Sequence, residues 1–98
     1  MLVFYYIILI TARPEQYKDE TLTHIKKLTG FTPNESYWNH NMTPPEIKEY
    51  WLKKAIFPKH GEDPTQYLAI ESNSLTRAMY QKYEIKAHPK KHNKKKKF

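Results

Sequence analysis

Residues 2–14 read LVFYYIILITARP, and the first nine of them are all apolar or aromatic. Nine residues are too few to cross a membrane as a helix, which takes about 20. We also expect no secretory signal, since no basic residue precedes the run and Ala12-Arg13-Pro14 follows it in place of a small-residue cleavage site. A continuous apolar run is typical of a strand buried on both faces of a parallel sheet. The run therefore predicts a central β-strand over residues 2–10.

Two helices are predicted from the residues at their ends. Arg13-Pro14-Glu15 places a proline and an acid in a first helical turn, where both are favoured, and Gly30 is placed to end that helix in a left-handed conformation. Thr43-Pro44-Pro45-Glu46 has the spacing of a capping box, with proline in the first turn. Because proline disrupts a helix interior, we expect the second helix to end at Pro58.

Short strands are predicted between and after these helices. They are a strand over Ser36–Trp38, a buried strand over Tyr67–Ile70 and a last strand that Ile85 opens. A third helix is predicted between the last two of these strands, and its apolar face consists of Leu75, Ala78, Met79 and Tyr83. Strands that alternate with helices indicate an α/β fold, with a parallel sheet built from right-handed crossovers.

The positive charge is concentrated at one end of the chain. The net charge is +7, from 17 basic and 10 acidic side chains, but residues 86–98 hold seven lysines and no acid, which leaves residues 1–85 formally neutral at ten of each. We therefore divide the chain into a folded part, residues 1–86, and a lysine-rich tail, residues 87–98, which we expect to be disordered unless bound. The candidate nucleic-acid contacts are Lys90, Lys91, Lys94, Lys95, Lys96 and Lys97.

Three interpretations of this tail remain open. It suits binding to nucleic acid or to an acidic partner without base specificity. It also suits the surface of an anionic membrane, although no apolar face or acylation site accompanies it. Finally, it is compatible with a merely solubilising end. The absence of cysteine excludes disulfides and thiolate zinc sites.

The residues that follow the predicted strands are suited to phosphate. In an open parallel sheet, ligands bind at the carboxyl ends of the strands. Thr11, Ala12 and Arg13 would offer a hydroxyl, backbone N–H groups and a guanidinium there, and Glu71 follows the later strand. Lys48 lies in the first turn of the second helix, where a cation does not favour the helix dipole, so its position suggests another use.

With these residues in view, the chain resembles the haloacid dehalogenase (HAD) superfamily of phosphatases, most closely the phosphatase domain of phage polynucleotide kinases. Residues 8–14 look like the second motif of that family, residues 47–49 look like the third, and residues 68–73 look like a degenerate fourth. The resemblance spans roughly residues 3–86. It implies a small three-layer HAD-like parallel α/β fold.

The resemblance also implies roles for individual residues. Thr11 would bind the transferring phosphoryl group, Lys48 would hold the phosphate, and Glu71 would be a ligand of Mg²⁺. The first motif of the family, Asp-x-Asp after a preceding strand, has no counterpart here, and Ser72 stands where the second magnesium acid belongs. A single carboxylate is a poor magnesium site. We therefore expect the chain to be inactive alone; if active, it would be a phosphomonoester hydrolase of the polynucleotide 3'-phosphatase type.

Three hypotheses about function follow. The first is a catalytically incomplete phosphatase-like protein that binds phosphate or nucleic acid. The second is one piece of an active, magnesium-dependent phosphatase, completed by a missing N-terminal strand or by a second chain. The third is a small protein-interaction module of phage type. The family's missing strand would lie between residues 2–10 and 67–70, so we expect these segments either to pair directly or to leave an unpaired edge for a protein partner or a second copy. The expected location is the cytoplasm, including that of a host cell for a viral or phage product.

Overall fold

The computed structural model describes residues 5–89 and shows a small α/β domain in which short parallel strands alternate with helices. The tail lysines lie outside the described residues. No helix in the described range is long and apolar enough to cross a membrane. The elements are β1 (Ile8–Pro14), α1 (Lys18–Thr29), β2 (Glu35–Asn39), α2 (Pro44–Trp51), α3 (Phe57–His60), β3 (Leu68–Ile70), α4 (Ser74–Lys82) and β4 (Lys86–His88).

The strands form two separate parallel pairs. β1 pairs with β2, with Ile8 opposite Glu35, and β3 pairs with β4, with Leu68 opposite Lys86. Within residues 5–89, neither strand of one pair is hydrogen-bonded to a strand of the other. Of the two arrangements expected from the sequence, the unpaired edge is therefore the one observed.

One hydrophobic core supports both strand pairs. Ile8 and Ile10 of β1, Ala69 of β3 and Ala87 of β4 all pack against it. Because side chains alternate between the two faces of a strand, these contacts place the same helical layer under both pairs. The buried side chains of this core are Leu52, Ile56, Met79, Tyr80 and Ile85.

Residues 2–4 of the predicted strand lie outside the described residues, and in the described part of the chain the first strand begins later than the apolar run predicts. It begins at Ile8, where pairing with β2 begins, and Tyr5 and Tyr6 before it are 80% and 56% exposed. The prediction of a strand buried on both faces is also wrong: apart from Thr11, β1 is half-buried up to Arg13. Full burial of a central strand needs neighbouring strands at both edges, and among residues 5–89 β1 has a neighbouring strand at one edge.

The predicted helix end at Pro58 is wrong. α2 continues through a π-helical segment, Leu52–Ile56, into α3, and Pro58 lies in the first turn of α3. The N–H of Phe57 bonds to the carbonyl of Leu52, five residues back. The wider π turn directly before Pro58 relieves the clash that its ring would make with an α-helical carbonyl. The helix ends instead at Gly61, whose φ of 94° suits glycine.

The exposed faces of β3 and α4 also differ from the prediction. Leu68 and Ile70 are 63% and 62% exposed and Ala69 is half-buried, so the prediction of a buried strand is wrong for β3. On α4, Leu75 is 69% exposed, whereas Thr76 and Tyr80 are buried beside the predicted Met79. The buried face of α4 is thus displaced by one residue from the predicted face. A prediction based on apolar side chains alone misses the buried Thr76.

Several local predictions are confirmed. Gly30 ends α1 in the left-handed region with a φ of 77°, and β2 covers the predicted residues 36–38. α2 begins after Thr43, although the Thr43 hydroxyl donates to the Glu46 carboxylate at 2.6 Å and does not cap a backbone N–H. Ile85 is buried and directly precedes β4.

Glu35 anchors the amino end of the sheet. Its carboxylate accepts hydrogen bonds from the hydroxyls of Tyr37 and Tyr6, and it lies 2.7 Å from Nε2 of His60 and 3.2 Å from Nζ of Lys59. Burial acts to raise the pKa of Glu35, but the hydrogen bonds from these four side chains outweigh it and hold the pKa at about 2. The carboxylate therefore ties β2 to α3 and to the segment before β1.

Replacing Glu35 with glutamine will make the free energy of unfolding less sensitive to a fall in pH. Because the folded pKa of Glu35 lies below its ordinary value of 4.5, its contribution is present above pH 4.5 and is lost as pH falls toward about 2. We expect Glu35→Gln to lower the free energy of unfolding by about 1 to 2 kcal/mol at pH 7 and by progressively less through that window. Urea unfolding at several pH values measures it, with exposed Glu62→Gln as the control. A pH-independent difference would contradict the assignment.

Candidate functional site

A buried ion pair lies where the strand ends meet the helical layer. Nζ of Lys48, on α2, donates a hydrogen bond to Oε1 of Glu71, the residue after β3, and each residue is 6% exposed. The other carboxylate oxygen of Glu71 accepts the N–H of Asn73 at 2.9 Å. Burying two charges carries a large desolvation cost, which a buried pair at best offsets. The pair therefore contributes little net stability to the domain, relative to apolar side chains of similar size.

The pair forms part of the wall of a pocket of about 450 Å³. Ala12, near the end of β1, lines it together with the residues that follow β3. The carboxyl ends of β1 and β3 thus share one pocket, as the sequence predicted for parallel strands. The lining residues are Ala12, Pro44, Lys48, Glu71, Ser72, Asn73, Ser74 and Leu75.

The first turn of α4 opens onto the same pocket. Asn73 caps the helix: its Oδ1 accepts the N–H groups of Leu75 at 2.9 Å and Thr76 at 3.1 Å. Nη1 of Arg77 donates to the carbonyls of Glu71 and Ser72, both at 2.9 Å, and so fixes the loop between β3 and α4. A fixed helix N-terminus next to a lysine favours negative charge.

The structure brings together some of the predicted site residues and not others. Ala12, Lys48 and Glu71 line the common pocket. Thr11 is 1% exposed, and its hydroxyl accepts the N–H of Arg13 at 3.1 Å. Arg13 in turn donates to the hydroxyl of Thr21 on α1 at 3.3 Å. Thr11 and Arg13 thus stabilise the turn from β1 into α1, and neither is among the residues that line the pocket.

The residues around Glu71 do not fit a magnesium ion. Mg²⁺ requires octahedral oxygen coordination, usually with more than one carboxylate or with substrate phosphates. Both oxygens of Glu71 already have partners, one of them a cation. Residues 5–89 contain no group of three His, Asp, Glu or Cys side chains that could hold a metal.

Three contributors to this site were missed at the level of sequence. Asn73 before Ser74-Leu75 is an ordinary N-cap signal, from which the start of α4 could have been predicted. Arg77 carried no local signal, since its partners are backbone carbonyls. Tyr80 is buried, and burial followed by the charge of Glu71 raises the pKa of its hydroxyl. The phenol therefore stays neutral beside the ion pair.

Comparison of this chain with models of known protein families, with curated proteins and with solved structures finds no match in any of the three.

Breaking the buried pair will cost more than breaking an exposed one. We expect Lys48→Met, which leaves Glu71 buried without its cation, to lower the free energy of unfolding by about 3 to 5 kcal/mol. The double variant Lys48→Met/Glu71→Gln should recover at least half of that loss, because the glutamine oxygen still accepts the N–H of Asn73.

The matched control is Lys82→Met, which removes the 61% exposed partner of Glu49. Urea unfolding of all variants measures the comparison. A loss for Lys48→Met no larger than that for Lys82→Met would show that the Lys48–Glu71 pair is not the buried contact described here.

Proposed function

We propose that this protein binds a phosphoryl group in the pocket between the ends of β1 and β3, as a HAD-like phosphatase domain that lacks the groups for hydrolysis. The observation that carries the proposal is the buried ammonium of Lys48 in a pocket shared by both strand ends. An ammonium has three donors, and Glu71 takes one of them. The others are available to a phosphate oxygen.

The rest of the pocket supports the same ligand. Ser72 and Ser74 line it, are exposed to solvent and can donate hydroxyl hydrogen bonds. The N-terminus of α4 adds the partial positive charge of the helix dipole. The ligand class is a phosphomonoester or inorganic phosphate, because the pocket is open to solvent and small. We also propose a HAD-like three-layer architecture and a polynucleotide-type substrate, and both rest on the resemblance of the motifs.

The carboxylates of the pocket support the proposal of catalytic incompleteness. Phosphoryl transfer through a covalent intermediate needs a free carboxylate nucleophile and an acid for the leaving group. Glu71 is the one carboxylate among the residues that line the pocket, and both of its oxygens are engaged. Asp19 lies in α1, and Asp63 caps a 3₁₀ turn through Thr65.

Inorganic phosphate will shift the backbone amide resonances of Ala12, Ser72 and Asn73 in an NMR titration. With one cation already paired, we expect a dissociation constant of about 1 mM. Ser74→Asp provides the test of site: the exposed acid repels phosphate, while its place in the first turn of α4 favours the helix. We expect about tenfold weaker binding with unchanged stability. Shifts that persist in Ser74→Asp would place the phosphate elsewhere.

The isolated chain will not release phosphate from a 3'-phosphorylated oligonucleotide in the presence of Mg²⁺. The expected rate equals that of buffer, and Ser74→Asp serves as the matched control for contaminating phosphatase. Magnesium-dependent release by the chain that Ser74→Asp abolishes would contradict catalytic incompleteness. It would favour the hypothesis of an active phosphatase.

Electrostatic binding of nucleic acid by the lysine-rich tail is a second proposed function. The observation that favours it is the six lysines among residues 90–98. Because Ala87 in β4 packs against the core, the deletion that tests the tail should begin at Lys90 and leave β4 intact. We expect oligonucleotide binding to fall with salt at a logarithmic slope of up to about −5 and to vanish on deletion. Binding that survives the deletion would contradict this role.

A further inference from the structure

A cleft of about 600 Å³ separates the two strand pairs. One side of it is β1, through Ile8, Leu9 and Ile10, and the other side is β3, with Leu68–Ile70. Each of these strands pairs along one edge only within the described residues, β1 with β2 and β3 with β4. The backbone N–H and C=O groups on the opposite edges therefore have no strand partner in residues 5–89.

The two sides of the cleft have matching directions and faces. Ile10 of β1 and Ala69 of β3 rest on the same core. Ala12 near the end of β1 and Ser72 after β3 line the same pocket, so both strands point toward it. A single strand placed between them, parallel to both, would join the pairs into one five-stranded sheet.

The lining defines the chemistry of the occupant. The helical layer below contributes Leu52, Ile56 and Tyr80, and α1 contributes Ile25 and Leu28. Ile85, directly before β4, also lines the cleft, whose polar end is formed by Lys48, Glu71 and Ser72. Leu68 and Ile70 are more than 60% exposed at the edge of the cleft. An occupant would be apolar on both faces, as a central parallel strand is, and would span roughly four to six residues.

The remaining residues of this sequence do not suit the cleft. Six of the nine residues in 90–98 are lysines, whose charges an apolar cleft disfavours. Residues 1–4 are separated from Ile8 by three residues, whereas a parallel crossover takes a dozen or more. A folded second copy presents strands that are already paired on one edge and backed by helices, which does not fit a space flanked on both sides.

We propose that the cleft between β1 and β3 binds an extended, apolar segment of a partner polypeptide, which adds a parallel strand between the two strand pairs. Backbone hydrogen bonds to two edges provide affinity, and the alternating apolar contacts provide selection. Lys48, Glu71 and Ser72 line both this cleft and the pocket proposed for phosphate. The proposal does not require phosphate to bind, because it rests on the edges of β1 and β3 that have no strand partner in residues 5–89.

A displayed library of peptides tests this, with about six randomised residues between Gly-Ser flanks. We expect selection on the wild-type chain to enrich valine, isoleucine and leucine and to exclude proline, which removes a donor from the ladder. Selected peptides should bind Leu68→Asp/Ile70→Asp at least about tenfold more weakly. Both positions are exposed, so this variant should fold. Binding to Phe31→Asp, a 59% exposed position outside the cleft, should be unchanged.

Hydrogen exchange gives a second readout. Amides of β1 and β3 should become more protected from exchange when a selected peptide binds, while those of α3, which does not line the cleft, remain as they were. The absence of enrichment, or binders indifferent to Leu68→Asp/Ile70→Asp, would overturn the proposal. So would a dimer of the chain alone that the same substitutions dissociate, because a second copy would then fill the cleft.

Discussion

The ion pair between Lys48 and Glu71 joins two halves of the molecule whose strands share no backbone hydrogen bond in the described residues. Lys48 belongs to α2, which packs against β1, and Glu71 follows β3. A two-stranded sheet is marginally stable by itself, so each half depends on the common helical layer. The pair adds a second link at the carboxyl edge, where the pocket that we propose for phosphate lies. Its geometry therefore bears both on how the halves are held together and on what they can bind.

Some local signals with a stereochemical cause were predicted correctly, but the helix start predicted at Arg13-Pro14-Glu15 was not, since Pro14 ends β1 and α1 begins at Lys18 after a 3₁₀ turn over Glu15–Tyr17. Gly30 and the proline-rich start of α2 impose backbone conformations that hold in any tertiary context. Boundaries that depend on a neighbour were predicted wrongly. The apolar run over residues 2–10 contains no information about how many strands pair with it, so neither the start of β1 nor its half-burial follows from the sequence. Pro58 failed for a related reason, since the π turn that accommodates it is set by packing of Leu52 and Ile56 in the core.

Part of the candidate site could be predicted from the sequence. The sequence singles out Lys48 because a cation is unfavourable in a first helical turn, but α2 begins at Pro44, so Lys48 is its fifth residue and lies in its last turn. The structure still places Lys48 in the pocket at the strand ends. Thr11 and Arg13 were predicted to bind phosphate as well, but the structure engages both within the turn from β1 to α1, and neither lines the pocket. Arg77 and the cluster around Glu35 depend on contacts between distant parts of the chain, which no local pattern records.

The π-helical segment Leu52–Ile56 sets the length of one continuous helical rod. From Pro44 to His60 the rod contains 17 residues, or about 25 Å, so it passes beneath the sheet from one end to the other. One end holds Lys48 at the pocket, and the other holds His60 against Glu35. Loss of one residue from the wide turn would rotate everything beyond it by about 100° and turn His60 away from Glu35 while leaving Lys48 in place. The π-helical turn therefore sets the rotation of the second half of the helix relative to the first. This rotation lets a single helix contact Glu71 near one end and Glu35 at the other.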